Sequence, residues 1–206
     1  MNKPKRNYRT NSFKARYSSP CNQCGGWISK GETILRVGEQ AYSHLTCGGN
    51  RTGRVFTGDK SADFLFKCLY KVKLANQPSS VHRNDGLKLY NTYLTTALKC
   101  VPPEDKPTSN ELKVCSKYLN NEIFLLKNIN TILALGKIGF DSCIKFYKEK
   151  YTLRNKDFVF YHGCKYVLPD KKILVGSYHP SPRNVNTGRI NEKKMTDLFK
   201  KTLKLV

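Results

Sequence analysis

From residue 48 onward, segments with apolar residues at helical spacing alternate with short runs that are apolar or aromatic. Apolar residues three or four positions apart predict helices that bury one face. Four segments fit, namely 61–72, a helix capped by Ser109, 140–148 and 191–204. Four runs predict strands, at 89–98, 131–136, 157–162 and 172–178. This alternation predicts an α/β fold with a central, mostly parallel, four-stranded sheet covered by helices on both faces.

The loops after the predicted strands carry the polar side chains expected of a site, because parallel sheets bind ligands at the carboxyl ends of their strands. Three loops are of this kind, at 50–59, 95–100 and 177–189. In the third, His179 directly follows a strand and is fixed by Pro180, and the loop also carries Ser181, Asn184 and Arg189. A histidine held among hydroxyl, amide and guanidinium groups is a candidate site residue.

Positive charge dominates the composition: 37 Lys and Arg stand against 15 Asp and Glu, a formal net charge of +22. Such a surplus indicates a polyanionic partner, nucleic acid first, although a genome rich in Lys codons would raise it as well. No apolar run approaches the roughly 18 residues of a membrane span, and no apolar stretch follows the basic N-terminus as in a signal peptide. We therefore expect a soluble, intracellular protein of the cytoplasm or nucleoid, neither secreted nor in a membrane.

The first 47 residues differ in character from the rest. Residues 1–12 are basic with few apolar positions, which predicts a disordered arm. The segment 13–47 contains a CxxC pair, Cys21 and Cys24, followed by an HxxC pair, His44 and Cys47. Three thiolates and one imidazole at this spacing are typical of a small zinc knuckle. In a chain without an export signal, cysteines are expected as reduced thiols or metal ligands rather than as disulfides.

Four blocks between residues 48 and 206 belong together: GGNRTGRVFTGDKSADFLFKCLYK, TYLTTALKCVPPEDKPTSNELKVCSKYLNNEI, TILALGKIGFDS and SYHPSPRNVNTGR. In order and spacing they resemble blocks of the iron-sulfur uracil-DNA glycosylases, closest to the fifth family, often called type B. The resemblance implies a three-layer α/β/α sandwich over 48–206 that flips a nucleotide out of DNA and hydrolyses its glycosidic bond in base-excision repair. Its partner would be DNA containing uracil or another deaminated base, and we expect a monomer that does not cleave the strand.

The same resemblance implies roles for individual residues. His179 would donate a hydrogen bond to a carbonyl of the departing base, and Asp59 would act on the water or the sugar. Phe56 stands where such enzymes stack the flipped uracil. Thr96 replaces an asparagine that reads the uracil edge in the fourth family, and a hydroxyl there fits a broader choice of deaminated bases. Residues that would hold phosphates or wedge the strand are Asn50, Arg51, Arg54, Ser181, Asn184 and Arg189.

The resemblance also offers a second use for the CxxC pair. Cys100 and Cys115 match the third and fourth ligands of the family's iron-sulfur cluster, and Cys21 and Cys24 would complete a four-thiolate 4Fe-4S site. One CxxC pair cannot serve both this cluster and a zinc ion held with His44 and Cys47, so the two interpretations remain alternatives. The other cysteines are expected to be packed thiols, at Cys68, Cys143 and Cys164.

One part of the family pattern is missing. Where the family has a first strand and a GLAPA-like loop before its NRTGR block, this chain has HLTCGGNRTGR. The segment 32–38 could supply the strand and 38–44 the loop, with Glu39 or Gln40 facing the site. Otherwise the sheet lacks a central strand, which would leave main-chain groups unpaired in the interior. Two hypotheses then stand beside the enzyme: a catalytically inactive DNA-binding protein with a degenerate glycosylase fold and a zinc knuckle, and a knuckle joined to a truncated enzyme.

Overall fold

The computed structural model describes residues 54, 56–82, 84–98 and 107–205, together with the backbone of five short N-terminal strands. These strands are β1 (Ser12–Lys14), β2 (Ser19–Pro20), β3 (Trp27–Ile28), β4 (Thr33–Arg36) and β5 (Tyr42–His44). β4 pairs antiparallel with β1 and β5, and β2 pairs antiparallel with β3. The prediction that 32–38 supplies the missing strand of the main sheet is therefore wrong, because β4 has both of its neighbours in a sheet of its own.

In the described residues after β5, the chain forms five α-helices and three further strands. The helices are α1 (Lys60–Lys71), α2 (Ser109–Leu125), α3 (Lys137–Lys148), α4 (Pro182–Asn186) and α5 (Glu192–Leu203). The strands are β6 (Thr131–Leu135), β7 (Lys165–Val167) and β8 (Ile173–Ser177). Thr108, rather than the predicted Ser109, caps α2, because its side chain accepts the Glu111 N–H while the Glu111 carboxylate accepts the Thr108 N–H.

The main sheet has the order β6-β8-β7 among the described residues. β6 and β8 run parallel, with Leu133 opposite Val175, whereas β7 runs antiparallel to β8. The α/β class is confirmed, but the described sheet has three strands of mixed direction instead of the predicted four mostly parallel ones.

The predicted strand at 89–98 is not formed. Apart from a single bridge between Leu89 and Ala75, no ladder partner for this segment lies in the part of the chain that the structure describes. Residues with high strand propensity remain a strand only where a neighbour completes the hydrogen-bond ladder. The prediction at 157–162 is also wrong: Phe158 and Phe160 pack against the core from a loop, and the strand comes later, as β7.

Helices cover both faces of the sheet. Alternate residues of a strand point to opposite faces. Ala134 of β6 belongs to an apolar cluster formed with α2 and α3, whereas Leu133 and Leu135 pack against a second cluster formed by α1 and α5. The carboxyl ends of β6 and β8 therefore lie between two helical layers. Among the described residues, no helix combines the length and apolarity that crossing a bilayer requires.

Candidate active site

The loop that follows β8 presents His179 at the carboxyl end of the sheet. β8 ends at Ser177, and the side chain of Pro180 is fully buried directly after the histidine. The side-chain amide of Asn184 donates to the carbonyl oxygen of His179 at 2.9 Å. The backbone on both sides of the imidazole is thus fixed, while His179 as a residue keeps part of its surface accessible at this end of the sheet. This is the position that a parallel sheet gives to a ligand-binding group.

Gly136, the residue after β6, lies directly against His179. Its N–H donates to the carbonyl of Ser177 at 2.7 Å, which joins the ends of the two parallel strands. A Cβ at this position would meet the Cβ of His179 at 3.2 Å, and the backbone has a φ of +98°. Only glycine allows both the approach and this backbone conformation. The glycine at the end of this strand is visible in the sequence, but its contact with the histidine arises only in the folded chain.

A second loop brings Phe56 and Asp59 to the start of α1. Phe56 has a φ of 53°, a left-handed conformation that is uncommon for a bulky residue and is found most often at functional sites. Gly58 donates its N–H to the carbonyl of Ser80 at 2.8 Å. Asp59 caps the helix, and its Oδ1 accepts the Ala62 N–H at 2.8 Å. The side chain of Phe56 packs partly against the apolar cluster of α1 and α5.

A buried polar network holds this loop in place. The guanidinium of Arg54 donates to both carboxylate oxygens of Asp85, at 3.0 and 2.8 Å. It also donates to Ser80 Oγ at 2.8 Å and to Thr57 Oγ1 at 3.0 Å, and those two hydroxyls lie 2.7 Å apart. In the structure the guanidinium of Arg54 thus serves an internal ion pair, and its role in holding phosphates or wedging the strand stays a prediction.

The network stabilises the charged form of Asp85. Burial by itself would raise the pKa of this carboxyl group, but the Arg54 guanidinium and the main-chain N–H groups of Leu87, Val81 and His82 outweigh it. The net result is a pKa well below the usual range. Asp85 thus stays ionised and bound to Arg54 at any pH at which the protein would work.

His179 and Asp59 interact electrostatically across the two loops. Loss of solvation lowers the pKa of His179, and the negative charge of Asp59 opposes that shift without cancelling it. The imidazole is therefore neutral near pH 7, with one ring nitrogen that donates and one that accepts. The two residues predicted to be catalytic are close enough in the structure to influence each other.

Thr96 lies on the segment 89–98 that does not form a strand. Its hydroxyl donates to the carbonyl oxygen of Leu98, while the neighbouring Thr95 hydroxyl donates to the Glu122 carboxylate of α2. Since the single hydroxyl proton of Thr96 is used locally, only the lone pairs of its oxygen are left for another partner. Among the described hydrogen bonds, none joins Thr96 to His179 or to Asp59.

The remaining predicted site residues fall into two groups. Ser181 caps α4 by accepting the Asn184 N–H at 3.4 Å, so both of these residues shape the His179 loop. Arg189 is exposed near the end of that loop. Asn50 and Arg51 lie outside the described residues, as do residues 52 and 53, which join them to Arg54.

Most of the candidate metal ligands lie outside the described residues, and of His44 only the backbone, at the end of β5, is described. The candidate ligands outside the described residues are Cys21, Cys24, Cys47 and Cys100. Cys115 is described and is half-buried on α2, and one thiol does not test a four-ligand site. Within the described ranges, no group of three or more His, Cys, Asp or Glu side chains could hold a metal ion.

The prediction that Cys68, Cys143 and Cys164 are packed thiols is confirmed, since all three are buried. Burial raises the pKa of Cys68 to about 11 and that of Cys143 to about 12.

Most of this chain matches known proteins in sequence. The family model described as Uracil DNA glycosylase superfamily matches residues 29–204, which include both candidate loops and begin inside the segment predicted as a separate knuckle. A type-5 uracil-DNA glycosylase of Thermus thermophilus is 37% identical over 172 residues, which cover 84% of this chain and 75% of the relative. One from Pyrobaculum aerophilum is 36% identical over 199 residues, covering 97% and 80%. One from Mycobacterium tuberculosis is 36% identical over 181 residues, covering 87% and 65%.

Proposed function

This chain belongs to the uracil DNA glycosylase superfamily, among its type-5 members, and we propose that it removes uracil from DNA by hydrolysing the bond between the base and the deoxyribose. The observation that carries the proposal is the placement of His179, directly after β8 at the carboxyl end of the sheet, and of Asp59, at the start of α1, both inside the span that the family model matches. The activity belongs to base-excision repair and leaves an abasic site in an intact strand.

The chemistry requires two opposite charges to be stabilised at once. As the glycosidic bond breaks, the deoxyribose becomes positive and the departing pyrimidine becomes negative. A neutral imidazole at His179 donates a hydrogen bond to a carbonyl oxygen of the base, where the negative charge collects. We assign the Asp59 carboxylate to the sugar side of the glycosidic bond. There it stabilises the positive deoxyribose and orients the attacking water. Its Oδ1 is held by the Ala62 N–H, so Oδ2 is the oxygen that serves this role.

Base recognition falls to Phe56 and Thr96. A planar base stacks on the ring of Phe56, which is only partly buried against the apolar cluster of α1 and α5. The Thr96 oxygen accepts a hydrogen bond, because its own proton goes to Leu98. It therefore suits the N3–H donor of uracil but makes one contact where an amide would make two. Weaker reading of the base edge favours activity on other deaminated bases as well.

DNA binding follows from the charge and from the loops around the site. The net charge of +22 attracts the phosphate backbone, and base flipping brings the target nucleotide to the carboxyl end of the sheet. Ser181, Asn184 and Arg189 on the His179 loop, together with Asn50 before the Phe56 loop, are the groups we assign to the strand around the flipped nucleotide. We expect no strand cleavage, since no lysine is assigned as a Schiff-base nucleophile.

Two metal sites remain alternatives for the N-terminal half. A 4Fe-4S cluster would use Cys21, Cys24, Cys100 and Cys115, and zinc would use Cys21, Cys24, His44 and Cys47. The family membership favours the cluster. The antiparallel pairing of β2 with β3, on either side of the CxxC pair in sequence, favours the knuckle. Either metal would organise structure, and no step of the reaction above depends on it.

A second function has one observation in its favour. The described part of the main sheet has three strands, and the segment 89–98 has no partner in a ladder there. A protein with this arrangement that binds DNA without cutting the glycosidic bond would be a catalytically inactive member of the family.

The deciding experiment incubates the purified protein with an end-labelled oligonucleotide containing one uracil and then with hot alkali. We expect alkali-dependent breaks at the uracil, lost in His179→Ala, while both proteins bind the DNA with similar affinity. A matched oligonucleotide with thymine in place of uracil controls for non-specific damage. Intact DNA with retained binding by the wild-type protein would contradict the enzyme and support the inactive binding protein.

A further inference from the structure

The turn 161–164 packs directly against the end of β8, the strand that leads to His179. Gly163 donates its N–H to the carbonyl of Gly176 at 2.8 Å, and Gly176 donates its N–H to the carbonyl of Cys164 at 2.9 Å. A Cβ on Gly176 would meet the Sγ of Cys164 at 2.4 Å, so glycine is required for this approach. The turn is therefore fixed to β8 at Gly176, two residues before the site loop 178–189 begins.

His162 of this turn receives the first hydrogen bond of the site loop. The Tyr178 N–H, one residue before His179, donates to His162 Nδ1 at 3.3 Å, and the buried Ser177 Oγ lies 3.4 Å from the same nitrogen. The imidazole also lies against the Tyr178 ring, with 5.5 Å between centroids. The peptide that connects β8 to His179 is thus held from one side by His162.

The same imidazole is linked to the far end of the site loop through Lys194. His162 lies close enough to Lys194, in the first turn of α5, for burial and then the positive charge of this lysine to lower the pKa of the imidazole. The ammonium of Lys194 donates to the carbonyl oxygen of Gly188 at 2.9 Å. One cluster therefore fixes the loop 178–189 near both of its ends, while Asn184 braces the His179 carbonyl in the middle.

We propose that His162 is a positioning residue, which holds the Tyr178 peptide so that the adjacent His179 reaches the departing base. The proposal rests on the proposed function. The acceptor at Nδ1 is essential to it, because a proton on that nitrogen would oppose the N–H of Tyr178. Burial, followed by the positive charge of Lys194, lowers the pKa of His162, and this keeps the acceptor available at neutral pH.

The test compares two variants of nearly equal size and shape. His162→Asn places an amide oxygen near the position of Nδ1, whereas His162→Leu fills similar space without an acceptor. We expect His162→Leu to lower the single-turnover rate of uracil release about tenfold or more while DNA binding stays near the wild-type value. His162→Asn should recover most of that rate. His82→Leu is the matched control, because His82 Nδ1 accepts the Asn84 N–H at 3.1 Å on an exposed loop, and its rate should be unchanged.

Hydrogen exchange of the Tyr178 amide gives a second result that does not depend on catalysis. Exchange should be faster in His162→Leu than in the wild type and slow again in His162→Asn. If the wild type releases no uracil, the proposed function fails, while this exchange pattern still supports the positioning role. Equal rates and equal exchange in all three proteins, or an Asn variant as slow in catalysis as the Leu variant, would overturn it. His162→Ala replaces the Leu variant if the latter does not fold.

Discussion

Replacing Gly136 with alanine tests whether β6 sets the position of His179. The backbone here has φ and ψ of 98° and 162°, a region that is essentially restricted to glycine. Alanine at such a position costs about 1 to 3 kcal/mol of unfolding free energy. In addition, the new Cβ would lie 3.2 Å from the Cβ of His179, tighter than ordinary van der Waals contact. The histidine must therefore move by a few tenths of an ångström.

That displacement sets the expected loss of rate. A misplacement of about 1 Å in a reacting group costs on the order of a hundredfold, so a few tenths of an ångström predicts roughly threefold to tenfold. Single-turnover release of uracil, measured well below the unfolding temperature, separates this loss from unfolding. Urea denaturation of the same samples gives the change in unfolding free energy.

Gly86→Ala is the matched control. Gly86 also has a positive φ, +79°, but its Cβ would meet nothing closer than Gln77 Oε1 at 3.9 Å. It should lose stability from backbone strain and retain the wild-type rate. The reasoning is refuted if Gly136→Ala excises uracil at the wild-type rate despite the lower stability, or if Gly86→Ala slows the reaction equally.

Three further predictions concern charge and metal. The pKa of His179, followed by NMR titration of its ring protons, should fall further in Asp59→Asn, because the Asp59 charge raises it; an increase would show that the two groups do not interact as described. Asp85→Asn should lower the free energy of unfolding in urea by about 2 to 4 kcal/mol, because it leaves the guanidinium of Arg54 without its charged partner. The folded-state pKa of Asp85 is lowered, so the wild type keeps this contribution above pH of about 4 and loses it only as the pH falls further, whereas the variant lacks it throughout. Cys115→Ser should abolish the visible absorbance of an iron-sulfur cluster if that site exists, and unchanged bound zinc in this variant would instead support the knuckle.

Four of the five described helices and the two parallel strands of the main sheet were predictable because their signals are local, whereas the short helix α4 (Pro182–Asn186) was not predicted. The helix predicted at 61–72 is α1, and the apolar runs at 131–136 and 172–178 became β6 and β8. An amphipathic period or a continuous apolar run is a property of neighbouring residues. It survives folding wherever the predicted face finds a core to pack against.

The failed strand at 89–98 shows where local signals stop. Its β-branched and aromatic residues fit a strand, but a strand also needs a partner, and the one expected from 32–38 pairs with β1 and β5 instead. Thr95 and Thr96 turn their hydroxyls to Glu122 and to a nearby carbonyl. Pairing is a long-range property that no window of sequence contains.

Part of the site was predictable from local signals, and the rest depends on contacts between residues far apart in the sequence. His179 was found because a strand and a proline flank it, and the family resemblance, confirmed by the comparisons, brought Asp59 and Phe56 forward. Gly136 and His162 were missed, because their roles arise only when β6 and the turn 161–164 meet β8 in space. The ion pair of Arg54 with Asp85 joins residues 31 positions apart and left no pattern in the sequence.

The central claim, that His179 stabilises the departing base, is tested most directly by changing the leaving group. Single-turnover rates of the wild type and of His179→Ala are measured on matched oligonucleotides that contain uracil or 5-fluorouracil, which leaves more readily as an anion. If His179 donates to the base carbonyl, the variant's deficit should be clearly smaller with 5-fluorouracil, because the better leaving group needs less help. An equal deficit on both substrates would show that His179 does not act on the departing base.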